Sequence, residues 1–177
     1  MTIKFNVREQ VRQRANFACE FCGISEIDSG GELTMDHFQP KGKGGHDSLD
    51  NLIYCCISCN QSKHDYWPAS PQDLQLWNPR HEPATKHFLA LADGTFQPLS
   101  EIGAFTLQCL RLNRQPLVDH RLRKFQDAEQ SRLLTSYRER LKVREQLLAH
   151  QDKIISEQGK RLEELLEVLQ FFIRGKN

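Results

Sequence analysis

The 177-residue chain is 38% hydrophobic and 27% charged, a balance that suits a soluble protein with a modest core. No run approaches the roughly eighteen apolar residues of a membrane span. Met1-Thr2-Ile3-Lys4-Phe5-Asn6 has no signal-peptide core, so no membrane partner and a cytoplasmic location are expected. The net charge of +1 does not announce nucleic acid: residues 1–66 carry seven Lys/Arg against nine Asp/Glu, residues 117–177 thirteen against ten.

Asn6 with Glu9 reads as a capping pair, and Val7, Val11 and Ala15 share one helical face, which predicts a short helix over 7–16. Residues 33–38 alternate as a strand does, 39–47 form a loop by composition, and 52–55 form a second short strand. Helix is expected from about residue 58 to 66. A Trp- and Pro-rich passage follows, and Ala92-Asp93-Gly94-Thr95 marks the turn of a small hairpin between 88–91 and 95–96. Cys109, among Thr106, Leu107 and Leu110, reads as a buried core thiol.

From about Leu117 the pattern is helical almost to the end. Leu134, Leu141, Leu148, Ile155, Leu162 and Leu169 recur every seven residues, thickened by Leu133, Leu147, Ile154 and Val168. Arg144, Gln151 and Gln158 make the companion seam polar, and Gly159 is expected to split the run into two helices. The stripe needs cover. A hairpin folded onto the core, a second copy or a partner protein would each supply it, and homodimerisation is the preferred reading. The predicted organisation is α+β: a small ββα core over 1–66, a connecting segment with a short hairpin over 67–116, and a helical extension over 117–177.

Six cysteines in a reducing compartment point to metal before disulfides. Cys19 and Cys22 form one C-x-x-C pair and Cys56 and Cys59 another, separated by the 33 residues 23–55. A two-residue gap lets one tight turn deliver two thiolates to a tetrahedral ion, which predicts a structural Zn²⁺. Cys55 in place of Cys56 fits that gap less well, and a set of buried free thiols is the plain alternative.

Asp36-His37 and Asn51 lie between the two cysteine pairs, and Asn60 follows the last cysteine. With Cys19–Cys22, Asp36-His37-Phe38-x-Pro40, Gly44-Gly45, Asn51-Leu52, Cys56–Cys59-Asn60 and Lys63, the chain from about residue 8 to 66 resembles the HNH endonucleases. Within them it is similar to the cysteine-bearing branch that includes a phage Holliday-junction resolvase. The resemblance implies a ββα-metal fold that hydrolyses DNA. His37 would be the general base, suited to that work because imidazole titrates near neutrality. Asp36 and Asn60 would hold one divalent cation, Mg²⁺ or Mn²⁺ by the hardness of their oxygens. Asn51 would pin the loop between the strands and so orient His37.

Nuclease colicins, also of this family, carry two metal-binding histidines four apart on the final helix. His64, four residues after Asn60, is therefore a candidate further ligand, or simply an exposed helix residue. Lys63 is a candidate phosphate contact. His46 and Asp47 fall in the glycine-rich loop, where they either shape the pocket or meet solvent. Arg111, Arg114, Arg121, Arg123 and Lys124, set against Asp119 alone, form the best candidate surface for the DNA backbone. The competing reading from another class is a non-catalytic zinc module that binds nucleic acid or a protein partner. A narrower one is a nuclease effector of phage defence or of a mobile element.

Overall fold

A computed structural model describes residues 3–174 and shows an α+β architecture of helices and two small antiparallel sheets. Met1, Thr2 and residues 175–177, at the ends of the expected first and third segments, lie outside the described residues. Two compact units divide the chain, one up to Phe125 and one from Gln126.

In the first unit, helix α1 (Phe5–Arg14) turns Val11 fully inward, with Val7 and Ala15 packed beside it. Its cap differs from expectation. Lys4 precedes the helix and caps it with no side-chain bond, while Asn6 lies inside the first turn and its Oδ1 accepts from the neighbouring Val7 N–H. Starting earlier lets the chain satisfy the Val7 and Arg8 amides on the Lys4 carbonyl, at 3.0 and 3.1 Å. A short helix α2 (Glu26–Ser29) follows, capped by Ser25 and closed by Gly30 in the left-handed region.

Strands β1 (Thr34–His37) and β2 (Leu52–Cys55) pair antiparallel, with Asp36 opposite Ile53 and His37 opposite Leu52. All four residues of β2 are buried. At about 1.5–3 kcal/mol per buried aliphatic side chain, Leu52 and Ile53 are among the main apolar contributions to this small core. Helix α3 (Ile57–Lys63) completes the ββα unit and ends three residues sooner than expected.

The connecting segment packs on the same core. Trp77 lies edge-on to Phe21 and Phe88, at 6.4 and 5.4 Å between centroids, and its Nε1–H donates to the Glu82 carbonyl at 2.9 Å. Strands β3 (Phe88–Ala90) and β4 (Phe96–Pro98) form the expected hairpin. Helix α4 (Glu101–Cys109), capped by Ser100, was not anticipated. Its Gly103 sits where a Cβ would come within 2.3 Å of the His87 carbonyl oxygen, so the helix abuts the hairpin there. Cys109 is half-buried against the core rather than sealed within it.

Helix α5 (Gln115–Arg174) contributes its opening turns to the first unit and forms the described part of the second. It runs through Gly159 without a break, which corrects the expected split and with it the hairpin. One glycine costs a helix only about 1 kcal/mol, too little to end a long run of good helix formers. Leu134, Leu141, Leu148, Ile155, Leu162 and Leu169 are each between 50% and 65% exposed. Among the described residues no helix is long and apolar enough to cross a membrane.

One ion pair joins α1 to α2. Arg12 reaches Glu26 through Nε at 2.5 Å and Nη2 at 2.7 Å, and Tyr54 Oη donates to the same carboxylate. The guanidinium first, and the phenol after it, hold the Glu26 carboxyl below its ordinary range. A carboxyl depressed in the folded state stabilises above the ordinary carboxylate range, and that contribution fades as pH falls through the folded value. Glu26→Gln is therefore expected to lower the melting temperature at pH 7 and to flatten its fall below pH 4, read by circular dichroism across pH. An unchanged acid slope would show that this pair contributes nothing.

Candidate active site

Two tight turns build the cysteine cluster. The Gly23 N–H bonds the Cys19 carbonyl at 2.8 Å with Gly23 at φ 78°, a conformation glycine adopts without strain. The Cys22 amide faces Cys19 Sγ at 3.5 Å. The second turn is the start of α3, where Cys56 Sγ accepts from the Cys59 N–H at 3.4 Å. All four sulfurs of Cys19, Cys22, Cys56 and Cys59 lie buried within 4.8 Å of one another. Cys22 Sγ and Cys56 Sγ are 3.8 Å apart. A tetrahedron with arms of ~2.3 Å has edges of about 3.8 Å, so the cluster suits a zinc ion. Cys55 lies outside it, its Sγ 3.7 Å from Thr34 Oγ1 and its thiol pushed up by burial.

Four thiolates around one Zn²⁺ would carry a formal surplus of two negative charges. Arg114 meets them: Nη2 is 3.7 Å from both Cys56 Sγ and Cys59 Sγ, and Nη1 donates to the Leu110 carbonyl at 3.1 Å. The expectation that Arg114 serves DNA is corrected on this ground, since its guanidinium is committed to sulfur and backbone. Arg121 is corrected likewise. It stacks 4.2 Å over the Phe96 ring and donates to the carbonyls of Gly94 and Leu112, at 2.5 and 2.9 Å. Arg111, Arg123 and Lys124 remain exposed, with Lys124 Nζ 3.3 Å from Asp28 Oδ2.

Asp36, His37, Asn60 and His64 line one open groove of about 470 Å³, together with Lys41 and Asp65. His37 Nε2 faces Asp47 Oδ1 at 2.7 Å, and Lys41 Nζ donates to Asp47 Oδ2 at 2.9 Å. Lys41 first, and His37 after it, hold the Asp47 carboxyl below its ordinary range. With Nε2–H given to Asp47, Nδ1 is the ring nitrogen left to accept a proton.

Asn51 ties the intervening loop shut. Its Oδ1 accepts from the Gln39 N–H at 2.8 Å, and its Nδ2 donates to the carbonyls of Gln39 and His46, both at 3.0 Å. His46 precedes Asp47, so the amide holds the backbone beside the carboxylate that meets His37. Gly45 permits this closure: a Cβ there would sit 1.8 Å from the Gln39 carbonyl oxygen and 2.9 Å from Asn51 Nδ2.

Lys63 is not at the surface. It is buried at the end of α3, where Nζ lies 2.9 Å from Asp36 Oδ2 and donates to the His37 carbonyl at 2.9 Å. The contact with Oδ2 is an ion pair. The expected phosphate contact at Lys63 is thereby corrected, because a lysine costs too much to bury unless the interior supplies a partner, as here. Asn60 Nδ2 is 3.4 Å from Thr34 Oγ1, and among the described residues Asn60 Oδ1 accepts no hydrogen bond. His64 is displaced from its expected place on the helix: α3 ends before it, it adopts φ 53°, and its exposed ring meets Asp65. Sequence reasoning left Asp47 undecided and placed Lys63 outside. Neither position announces its partners: Asp47 is met by Lys41 six residues away and His37 ten away, and Lys63 by the backbone of His37 twenty-six away.

Metal analysis of the purified chain is expected to return one zinc per chain. Cys22→Ser is expected to lose it and to drop the melting temperature by about 10 °C or more, since a structural zinc supplies much of a small domain's folding energy. A variant that keeps both its zinc and its melting temperature would remove Cys22 from the cluster's role.

The HNH endonuclease family matches residues 19–66. Over 57 residues the chain is 42% identical to the CRISPR-associated endonuclease Cas9 of Corynebacterium diphtheriae, a stretch that is 32% of this chain and 5% of that protein. The chain thus corresponds to a small fraction of that relative's length. No solved structure gives a significant match. Residues 19–66 are therefore similar to the HNH endonucleases, with four clustered thiols that suit zinc.

Proposed function

We propose that this chain is a metal-dependent HNH endonuclease that hydrolyses DNA phosphodiester bonds, with a structural Zn²⁺ on Cys19, Cys22, Cys56 and Cys59. The observation that carries the reading is one groove lined by an imidazole backed by a carboxylate, a second carboxylate and an amide oxygen. His37, with Nε2 on Asp47, takes the proton of the attacking water at Nδ1. The water oxygen bonds phosphorus while the bond from phosphorus to the leaving sugar oxygen breaks.

The residues present fit a hard cation. Lys63 engages Asp36 through Oδ2, so the other carboxylate oxygen and Asn60 Oδ1 are available to Mg²⁺ or Mn²⁺. Such a cation, when bound, stabilises charge on the phosphate and the leaving oxygen. Asn51 positions His37 by closing the loop that carries Asp47. His64 lines the same groove and is a further candidate ligand. Arg111, Arg123 and Lys124 are the members of the basic stretch still placed to meet phosphate.

A non-catalytic zinc module is the second reading, and the Lys63–Asp36 pair favours it, because an ammonium group already neutralises the carboxylate meant for a cation. Plasmid nicking in Mg²⁺ and in Mn²⁺ decides between them. Wild type is expected to nick, and His37→Ala to be slower by about 10²–10⁴-fold, the usual contribution of a general base. Asp47→Asn is expected to lie between. Wild type as inert as His37→Ala in both metals would leave the module.

The exposed stripe of α5 is proposed to pair with a second copy or with a partner protein. Sedimentation of the purified chain is expected to give a dimer, with Leu141→Glu and Leu148→Glu together returning a monomer. A wild-type monomer at micromolar concentration would leave the partner protein.

A further inference from the structure

The 38–51 stretch that bears on the groove also borders a second and larger cleft of about 760 Å³, which shares no lining residue with the first. His37 lines one and Phe38 the other, as successive residues leaving a strand point to opposite sides. Asn51, whose amide shuts the loop beside His37, has its side chain on the cleft as well.

Three features of the lining define what fits. Phe38 and Trp67 meet at 6.0 Å between centroids with their planes 89° apart, and both are only half-buried, so they form a corner with aromatic surface facing the cleft. Around the rings stand the amides of Gln39 and Asn78, each a donor and an acceptor, and the carboxylate of exposed Asp50, an acceptor alone. Among the described residues no lysine or arginine lines it, and its two histidines, His46 and His81, share it with the carboxylates of Asp50 and Glu82, so no fixed positive charge faces a phosphate there. The occupant is therefore flat, neutral and edged with hydrogen-bonding groups, and its phosphates stay outside.

We propose that this cleft takes one unpaired nucleobase of the nucleic-acid substrate, stacked on the Phe38–Trp67 corner, with an amino-bearing base favoured by the Asp50 carboxylate. The inference rests on the nuclease reading and deepens it. It makes the substrate DNA that offers an unstacked base beside the cut, in preference to unbroken paired duplex. Enzymes that hold a base outside the stack take least work from a base already unpaired, which is a source of selectivity. Stacking on an aromatic ring tolerates any base, so the carboxylate and amides supply the discrimination.

The test uses the full chain carrying His37→Ala, so that binding is read without cleavage. The probe is a DNA duplex with a single bulged 2-aminopurine, compared with the same duplex fully paired. The bulged duplex is expected to bind about tenfold more tightly, with its 2-aminopurine emission quenched on binding. Trp67→Ala should abolish both the preference and the quenching, Trp67→Phe should keep them, and Asp50→Asn should weaken bulge binding about threefold. Asp50 is exposed, so its substitution tests the cleft even where Trp67→Ala fails to fold. Equal affinity for the two duplexes, unquenched emission, or indifference to both the Trp67 and the Asp50 changes overturns the proposal. The two readings separate cleanly. Nicking by wild type without bulge preference would sink the base site alone, and a quenched, preferred bulge with no nicking in either metal would sink the nuclease alone.

Discussion

Four sulfur atoms within 4.8 Å of one another join the turn after α1 to the first turn of α3. Asp36, His37, Asp47 and Asn51 lie on the chain between those turns, and Asn60 and Lys63 follow within four residues of Cys59. Two strands of four residues bury too little apolar surface to hold such a constellation unaided. An ion on the thiols would close a loop of more than thirty residues, and the positions of the groove residues depend on that closure. The buried aromatics of the connecting segment add to it, with Trp77 wedged between Phe21 and Phe88.

Several charges of this unit are matched to specific partners, some buried and some at the surface. Lys63 answers Asp36, Lys41 and His37 answer Asp47, Arg114 answers the thiolates, and Arg14 and Arg80 answer Glu20. Burial pushes the Glu20 carboxyl up even with the Tyr54 N–H and both guanidinium groups beside it, a sign of how little water reaches it. A near-neutral net charge therefore conceals a set of specific ion pairs. What remains outward on the groove side is a ring nitrogen, carboxylate and amide oxygens, and an aromatic corner on the far side of the loop.

Much of the ββα outline was legible because it rests on local patterns. The two C-x-x-C spacings, the alternation ending at Asp36-His37, the apolar run of β2 and the Asp93-Gly94 turn each act over a few residues. Those same signals placed the strands within a residue or so and brought the four thiols together. The misses share a physical cause. Whether Lys63, Arg114 or Arg121 meets solvent depends on which carbonyl, carboxylate or sulfur a remote segment brings, and composition carries no trace of that. Gly159 was overrated because a propensity of about 1 kcal/mol does not outweigh its helical neighbours. Helix α4 was missed although Ser100-Glu101 is an ordinary start signal; its Gly103 and Thr106 are accommodated by remote backbone, Gly103 against the His87 carbonyl and Thr106 by the Trp77 N–H.

The arginines that grip the family-matched stretch come from outside it. Arg12 and Arg14 on α1 hold Glu26 and the carbonyls of Leu49 and Leu52, Arg80 reaches Glu20 from the connecting segment, and Arg114 reaches two of the sulfurs from just before α5. Similarity thus outlines residues 19–66, while mechanical integrity extends at least from α1 to the first turn of α5. A graft of the matched stretch into another scaffold would arrive with Glu20 and Glu26 stripped of their counter-ions and the sulfur cluster bare on one flank. Evolutionary modularity and physical modularity part company here, and the boundary for any transplant belongs where the last arginine is, well past the last matched residue.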